Sequence, residues 1–338
     1  QHMPNRKFSL FLIFFVLFIW FLFLFILPSK TQVSIKGLTM GTTYEVKISD
    51  NNQHNVEFMS KGIDSILVSI NQSMSTYIPD SEVSIINKDR SAHKIFRISD
   101  DLKYVLNKSL EYYIITEGAF DVTIRPLLKL WGFKDEIIYE TPDSSVIRNV
   151  LKYVGSDNII TKSNKLSKKN PKLEFDFGAI AKGYAVDKIS EYLINNGYTS
   201  HYVEIGGEII CKGKDWKIQI AYPEFLSSKS FKILKLNNHA IATSGTYNQF
   251  VEIKDLEYSH IFDSRLGRPV KNNVISVTVI ADKCIDTDAL STSLKVLGKD
   301  KGLELVNGID NIECMFILKE GNILKDYYSS NFLSFLIN

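Results

Sequence analysis

The spacing of apolar residues predicts a domain that contains both helices and strands. Residues 43–48 alternate between apolar and polar with a period of two, which is typical of a half-buried strand. Apolar residues at helical spacing predict three helices in the first half of the chain: one through Ile63, Ile66, Leu67 and Ile70, one from Ser99 or Asp100 to Gly118, and one from Thr141-Pro142 to near Gly155.

The second half of the chain is richer in predicted strands. Residues 173–177 form an apolar strand that leads into a helix over 180–195. A helix over 285–297 and further strands follow the same rules, the strands lying at 201–205, 216–220, 231–236, 250–253, 260–262, 274–280 and 314–318. Helices early and strands late, without strict alternation, predict an α+β fold with a mixed or antiparallel sheet and flanking helices.

The N-terminus contains the longest apolar run. Residues 8–27 are apolar except for Ser9, and a helix of twenty residues is long enough to cross a bilayer. Arg6 and Lys7 precede the run and favour a cytoplasmic N-terminus. We therefore expect a single-pass anchor in the bacterial inner (plasma) membrane, with the rest of the chain on the extracytoplasmic, periplasmic side. A cleaved signal peptide is the alternative.

The predicted organisation of the chain follows from these patterns. Residues 1–7 form a short cytoplasmic segment. Gln1 and His2 before Met3 are typical of residues left by a cloning site. Residues 8–27 are the transmembrane anchor, 28–36 a linker and 37–338 one continuous domain. The 40 Lys plus Arg nearly balance the 38 Asp plus Glu, which argues against a nucleic-acid partner. Three separated cysteines exclude a disulfide framework and a CxxC metal site.

Residues 175–187 contain the first candidate for chemistry. An apolar strand, Gly178 and a helix start with Lys182 and Gly183 are arranged as in many phosphate-binding turns. The free N–H groups of the first helical turn, the helix dipole and the lysine would all favour an anion. A purely structural turn is the alternative.

The predicted helix over 285–297 contains the second candidate. Asp288 and Thr292 are four residues apart, so their oxygens project from one helical face, as hard ligands for Mg²⁺ do. The alternative is that Asp286 and Asp288 only cap the helix, with Thr292 directed at solvent or a backbone carbonyl.

Eight short motifs then occur in a fixed order. They are Met-Gly-Thr at 40–42, Thr-Tyr-x-Pro-x-Ser-Glu at 76–82, Gly-Ala-Phe-Asp-Val-Thr at 118–123, Asp-Phe-Gly-Ala-Ile-Ala-Lys-Gly-Tyr-Ala-Val-Asp at 176–187, Glu-Ile-Gly-Gly-Glu at 204–208, Ala-Thr-Ser-Gly-Thr-Tyr at 242–247, His-Ile-x-Asp at 260–263 and Asp-Ala-Leu-Ser-Thr at 288–292. In this order the motifs closely resemble the FAD:protein FMN transferases, the ApbE-like family.

The resemblance implies a substrate, a metal and a set of residues. Family members bind FAD, use Mg²⁺ on its pyrophosphate, transfer FMN to a threonine hydroxyl of a target protein and release AMP. The matching metal ligands are Asp288, Thr292 and the carbonyl of Ala179. Lys182 and Asp187 match the residues at the diphosphate and ribose, and the positions that line the flavin and adenine pockets are Met40, Tyr77, Glu82, Asp121 and Thr243.

The resemblance also implies catalytic roles and partners. Lys182 would supply positive charge, and His260 is the candidate base for the threonine hydroxyl, unless it positions the phosphate instead. Expected targets are flavoprotein subunits of membrane redox complexes, such as sodium-translocating NADH:quinone reductase or its ferredoxin-linked relatives. A Mg²⁺-dependent FAD pyrophosphatase and a flavin-binding protein without turnover are the alternatives.

Three features of the chain depart from the family pattern. Glu204 stands where many members have asparagine, which leaves any flavin contact by that side chain open. The loop after His260 is Asp263-Ser-Arg-Leu-Gly267 where Asp-Pro-x-Thr-Gly is common. The predicted membrane helix replaces the lipidated cysteine of many members.

Overall fold

The computed structural model describes residues 31–50, 55–134, 138–223, 229–245, 250–254 and 256–337. The apolar run at 8–27 lies outside these residues, so the anchor stays a prediction. Among the helices of the described ranges, none is both long and apolar enough to span a bilayer.

An eight-stranded sheet organises the domain, and each neighbouring pair of its strands is antiparallel. The spatial order is β1 (Thr31–Thr39), β2 (Thr42–Asp50), β6 (His201–Ile205), β7 (Glu208–Lys212), β10 (His239–Gly245), β15 (Val274–Ala281), β16 (Glu313–Glu320) and β17 (Ile323–Tyr328). Residues 31–36, which the sequence assigned to a linker, therefore belong to the first strand.

Helices cover one face of this sheet and bury the larger core. They are α1 (Val56–Met74), α2 (Glu82–Lys88), α3 (Asp100–Ile115), α6 (Ala181–Asn195), α7 (Cys284–Leu297) and α8 (Lys299–Asn307). The predicted apolar stripe of α1 is buried against this core at Ile63, Leu67 and Ile70, each worth about 1.5–3 kcal/mol. Ser99 caps α3 as predicted, since its hydroxyl accepts a hydrogen bond from the Leu102 N–H.

A two-stranded ribbon covers the other face. It consists of β8 (Trp216–Ala221) and β9 (Ser230–Leu236), and alternate residues of β8 face the second core together with Phe332 from the 3-10 turn Phe332–Phe335. The sheet is thus covered on both faces, which agrees with the predicted α+β class.

Smaller elements form the rim of the domain. A third core joins α4 (Arg125–Leu130) and α5 (Ser144–Leu151) to β11 (Phe250–Ile253) and β13 (Phe262–Asp263). The remaining described elements are β3 (Phe96–Arg97), the 3-10 turn Ser156–Asn158, β4 (Ile159–Lys162), β5 (Lys165–Lys168), β12 (Leu256–Ser259) and β14 (Arg268–Pro269).

The prediction of a strand at 173–177 is wrong. The segment is extended and forms a single parallel bridge, Ile124 to Glu174. The Asn87 side chain replaces a neighbouring strand: its amide nitrogen donates to the Phe175 carbonyl at 2.8 Å, and its oxygen accepts from the Phe175 N–H at 2.7 Å. The apolar alternation is therefore correct for burial and misleading for secondary structure.

Three other local predictions also need correction. The alternation of Phe120 and Val122 with Asp121 and Thr123 predicts a strand, but residues 118–123 form turns, because Asp121 accepts a hydrogen bond from the Thr123 N–H and folds the backbone back. Helix α5 begins at Ser144 and ends at Leu151, shorter than predicted at both ends. The strand predicted at 260–262 is interrupted, because the Ile261 N–H donates to the Ser259 hydroxyl between β12 and β13.

Candidate functional site

The site is built where α6 and α7 cross. Gly183 makes the crossing possible, because a β-carbon at this position would collide with the backbone carbonyl of Cys284. The Gly183 N–H donates to Asp288 Oδ2 at 2.9 Å. One turn later on α6, Asp187 accepts from the N–H groups of Cys284 at 2.8 Å and Ile285 at 2.9 Å. Asp187 therefore caps α7.

Lys182 lies at this crossing between two carboxylates. Its Nζ is 3.0 Å from Glu208 Oε1 on β7 and 3.8 Å from Asp288 Oδ1 on α7. The same Nζ donates to the carbonyl of Gly178 at 3.3 Å. Asp288 is only 3% exposed and Glu208 7%, so both carboxylates lie largely away from water.

The cluster contains two carboxyl groups and one ammonium group. Burial raises the pKa of Asp288 and of Glu208 above their ordinary values, and the charge of Lys182 opposes both shifts. Burial alone would lower the pKa of Lys182, but the charges of Asp288 and Glu208 outweigh it and raise that pKa. Two buried carboxylates thus share one ammonium group, which makes the site attractive to a further cation.

The turn before α6 has fewer free N–H groups for a phosphate than the sequence predicts. Its N–H groups at Gly178, Ile180, Ala181 and Gly183 already donate, to Asp176 Oδ1, twice to the Phe177 carbonyl and to Asp288 Oδ2. The anion next to the first turn of α6 is therefore the carboxylate of Asp288. Within residues 176–187, Lys182 is the basic side chain that could contact a phosphate.

Thr292 faces β10 one turn beyond Asp288, as the spacing predicts. Its hydroxyl is 3.0 Å from the hydroxyl of Ser244, which is also 3.2 Å from that of Ser291. The neighbouring Thr243 pairs its hydroxyl with that of Thr278 at 2.8 Å. The end of β10 is therefore hydroxyl-rich where it meets α7.

The donor atoms at the crossing fit a hard divalent cation. No group of three or more His, Cys, Asp or Glu suited to a metal occurs among the described residues. The predicted ligands, Asp288, Thr292 and the carbonyl of Ala179, include only one such residue, but all three are oxygen donors of the kind Mg²⁺ takes together with water. Glu208 Oε2 is buried with no hydrogen-bond partner among the described residues.

Tyr77 is linked to the same turn through two charged residues. The tyrosine is 78% exposed, and its hydroxyl accepts a hydrogen bond from Lys134 at 2.7 Å. Lys134 Nζ lies 3.4 Å from Asp176 Oδ2, while Asp176 Oδ1 accepts from the Gly178 N–H. An exposed ring held in this way could stack on a planar ligand.

Two other predicted pocket residues are engaged inside the protein. Glu82 Oε2 accepts from the N–H and the hydroxyl of Ser99, both at 3.1 Å. Asp121 Oδ1 accepts from the N–H and hydroxyl of Thr123 and from the hydroxyl of Ser156. Burial raises the pKa of Asp121. These contacts join structural elements, and ligand contacts by either side chain stay predictions.

Met40 and His260 lie at turns. Met40 connects β1 to β2 with a left-handed φ of 50°. His260 is half-buried directly after β12, and its neighbour Ile261 packs with Ala119 and with Val296, which lies one turn beyond Thr292 on α7. The role of His260 as a base stays a prediction.

Sequence reasoning did not assign roles to Glu208, Asp176 or Lys134. Glu208 and Asp176 belong to the motifs at 204–208 and 176–187, so position alone marked them. A carboxylate that starts an otherwise apolar strand after Gly-Gly, as Glu208 does, is a usable signal, since a buried carboxylate needs a partner. Lys134 carries no such signal.

Comparisons with known proteins agree on one family. The family model described as the ApbE family matches residues 40–316. The chain is 36% identical over 312 residues to the FAD:protein FMN transferase of Vibrio cholerae, covering 90% of this chain and 93% of that protein. It is also 36% identical over 315 residues to the protein of the same name from Haemophilus influenzae, covering 89% and 90% of the two chains.

Solved structures show the same similarity. The flavin transferase ApbE from Vibrio cholerae superposes with a TM-score of 0.83 at 36% identity, covering 91% of this chain and all of that one. The apo form of the flavinyl transferase ApbE from Pseudomonas stutzeri gives a TM-score of 0.83 at 30% identity, covering 91% and 98%.

Proposed function

This chain belongs to the ApbE family, and we propose that it is an FAD:protein FMN transferase that moves FMN from FAD to a threonine hydroxyl of a target protein and releases AMP. The relatives named above support the flavin transfer. The threonine acceptor and the release of AMP rest on the motifs that this chain shares with the family.

The observation that carries the proposal is the meeting of Lys182, Asp288 and the turn at Gly178. Cleavage of a pyrophosphate needs positive charge on the phosphates and a positioned nucleophile more than it needs a covalent group on the enzyme. Lys182 provides a mobile ammonium group of raised pKa, which stays charged at neutral pH.

Asp288, Thr292 and the carbonyl of Ala179 would hold Mg²⁺. When bound there, the cation would neutralise charge on the pyrophosphate of FAD. Lys182 would bind the same group from the side of β7. We further propose that Tyr77 lies against the flavin and that His260 takes the proton of the acceptor threonine.

The target and the location are further parts of the proposal. We propose that the acceptor is a subunit of a membrane redox complex on the periplasmic side, and that residues 8–27 anchor the enzyme beside it. The apolar composition of this run supports the anchor. Tethering raises the effective concentration of an enzyme near membrane-bound targets.

The test is transfer to a co-expressed candidate redox subunit, followed by mass spectrometry for covalent FMN on threonine. Asp288→Asn is the informative variant because Asp288 is buried and its oxygen accepts the Gly183 N–H, which asparagine can still do. We expect transfer to fall by at least about a hundredfold. Asp282→Asn, at an exposed position just before α7, is the matched control.

Two results would overturn parts of this proposal. Release of AMP from FAD at the full rate without any acceptor would favour a pyrophosphatase. Near-normal transfer by Asp288→Asn would remove Asp288 from the metal site.

A further inference from the structure

Glu208 is the charged residue of the crossing to which neither the family resemblance nor the proposed metal site assigns a role. Its Oε1 lies 3.0 Å from Lys182 Nζ, and its Oε2 has no hydrogen-bond partner among the residues described. The side chain is 91% buried. A buried carboxylate with one unused oxygen lowers stability unless another interaction offsets the cost.

The backbone holds this carboxylate in place. Glu208 is the first residue of β7, which is paired on one side with β6 and on the other with β10. Gly206 and Gly207 form the preceding turn with φ values of 63° and 102°, which a glycine adopts without strain. Lys182, by contrast, reaches the site on a long side chain that could turn toward either carboxylate.

We infer that Glu208 is a positioning residue that holds the ammonium group of Lys182 on its own carboxylate and so keeps Asp288 Oδ1 available to a divalent cation. The inference rests on the proposed function. Lys182 Nζ is 0.8 Å closer to Glu208 Oε1 than to Asp288 Oδ1, the difference between 3.0 and 3.8 Å. Asp288 Oδ2 is already bonded to the Gly183 N–H, so Oδ1 is the oxygen in question.

Loss of Glu208 would change the partner of Lys182. A buried ammonium group needs a nearby negative charge, and Asp288 is the other carboxylate within 4 Å of Lys182 Nζ in the described structure. A full ion pair between Lys182 and Asp288 would then compete with the cation for the same oxygen. Cation affinity would therefore depend on Glu208 although Glu208 is not itself a ligand.

A double-mutant cycle on Mn²⁺ binding tests this inference. Mn²⁺ replaces Mg²⁺, and free Mn²⁺ is measured by electron paramagnetic resonance with FAD present, with no acceptor protein and against a protein-free FAD control. We expect Glu208→Gln to weaken Mn²⁺ binding about tenfold when Lys182 is present and much less in the Lys182→Met background. If the two substitutions act additively, Glu208 contributes only its charge and the inference is wrong.

Glu208→Asp provides a second, independent test, also in case Glu208→Gln does not fold. It keeps the charge but is one methylene shorter, so it releases Lys182, and Mn²⁺ affinity should again fall when Lys182 is present and much less in the Lys182→Met background. Unchanged affinity in Glu208→Asp would contradict the inference. Glu45→Gln is the control, because Glu45 also pairs with lysines, Lys36 and Lys47, but lies in the β1–β2 hairpin.

The cycle separates the inference from the proposed function. If wild type binds no Mn²⁺, or if Asp288→Asn binds it as tightly as wild type, the proposed cation site fails and the inference fails with it. If Asp288→Asn abolishes binding while the Glu208 and Lys182 substitutions are additive, the site stands and only the role of Glu208 is lost.

Discussion

Lys168 and Lys182, at the two ends of the segment that joins β5 to α6, differ in the oxygen atoms that surround their ammonium groups. Lys168, the last residue of β5, is fully buried and donates to the backbone carbonyls of Ile86 at 2.8 Å, Asp89 at 2.7 Å, Leu173 at 3.2 Å and Pro171 at 3.4 Å. Lys182, with 23% of its side chain exposed, lies between two carboxylates.

The difference in partners separates a structural lysine, Lys168, from Lys182, for which we propose a catalytic role. Burial, with a smaller contribution from the charge of Arg90, lowers the pKa of Lys168 to about 8, while nearby carboxylates raise that of Lys182. Carbonyls belong to the backbone, so Lys168 ties the end of α2 to the segment at 171–173. A carboxylate can bind a metal cation in place of a lysine, and the released lysine can bind a phosphate. The same residue type thus stabilises the backbone at one end of this segment and pairs with carboxylates at the other.

The largest expected effect is on catalysis. Lys182→Met should lower FMN transfer about a thousandfold, because a charge directed at the pyrophosphate is lost. Lys168→Met should stay within about threefold of wild type per folded molecule, since it only supports the turn. Transfer rates at saturating FAD measure both, with Lys188→Met on the surface of α6 as the control. Lys182→Met within fivefold of wild type would remove the distinction.

The next largest expected effect is on stability and involves Lys168. Lys168→Met leaves buried carbonyls without a donor, and we expect the free energy of unfolding to fall by about 3–4 kcal/mol. Urea denaturation measures this change. Lys165→Met, exposed on the same strand, should stay within about 0.5 kcal/mol of wild type. A loss below 1 kcal/mol for Lys168→Met would show that water satisfies these carbonyls.

The effect of Lys182 on stability should depend on pH between about 5 and about 8. Without Lys182, the folded-state pKa values of Glu208 and Asp288 rise further above their unfolded values, so the folded variant binds more protons than the unfolded chain. Its stability then falls as pH rises, and the destabilisation by Lys182→Met should grow by about 2 kcal/mol from about pH 5 to about pH 8. Urea denaturation at the two pH values measures it. A destabilisation independent of pH would mean that neither carboxylate takes up a proton.

The smallest expected effect appears in alkali and involves Lys168. Its folded-state pKa of about 8 lies below the ordinary 10.5, so between these values the unfolded chain binds more protons and the wild type gains stability as pH rises. The destabilisation by Lys168→Met should therefore increase by about 1 kcal/mol between about pH 8 and about pH 9. Unfolding of both proteins at these pH values measures the increase, and a decrease would contradict the lowered pKa.

Elements with a strong local pattern could be predicted from the sequence. The apolar spacing of α1, the Ser99 cap of α3 and the end of α7 at Leu297 follow from local signals, and each is confirmed. The segment at 173–177 could not be predicted, because its alternation is that of a strand while its hydrogen-bond partner is the side chain of Asn87, 88 residues away. Periodicity reports burial and does not reveal which group satisfies the backbone.

The candidate site was partly predictable for the same reason. Asp288 and Thr292 lie one turn apart on a helix, as their spacing requires, and Lys182 lies at the start of the helix predicted beside Gly178. Asp288 accepts the Gly183 N–H in the first turn of α6 although the two residues are 105 positions apart. Glu208 pairs with Lys182 across 26 positions. No local pattern encodes such contacts.

The sequence by itself determined the α+β class, the family and the ordered motifs, because period, caps and motif residues are properties of short stretches. The tertiary structure decided how the charges are shared. It brought two carboxylates to one lysine at the Gly183 crossing and surrounded the other lysine with carbonyls. The physical reason is that the energy of a charge depends on its burial and on the oxygens within a few ångströms, which only the packed chain defines.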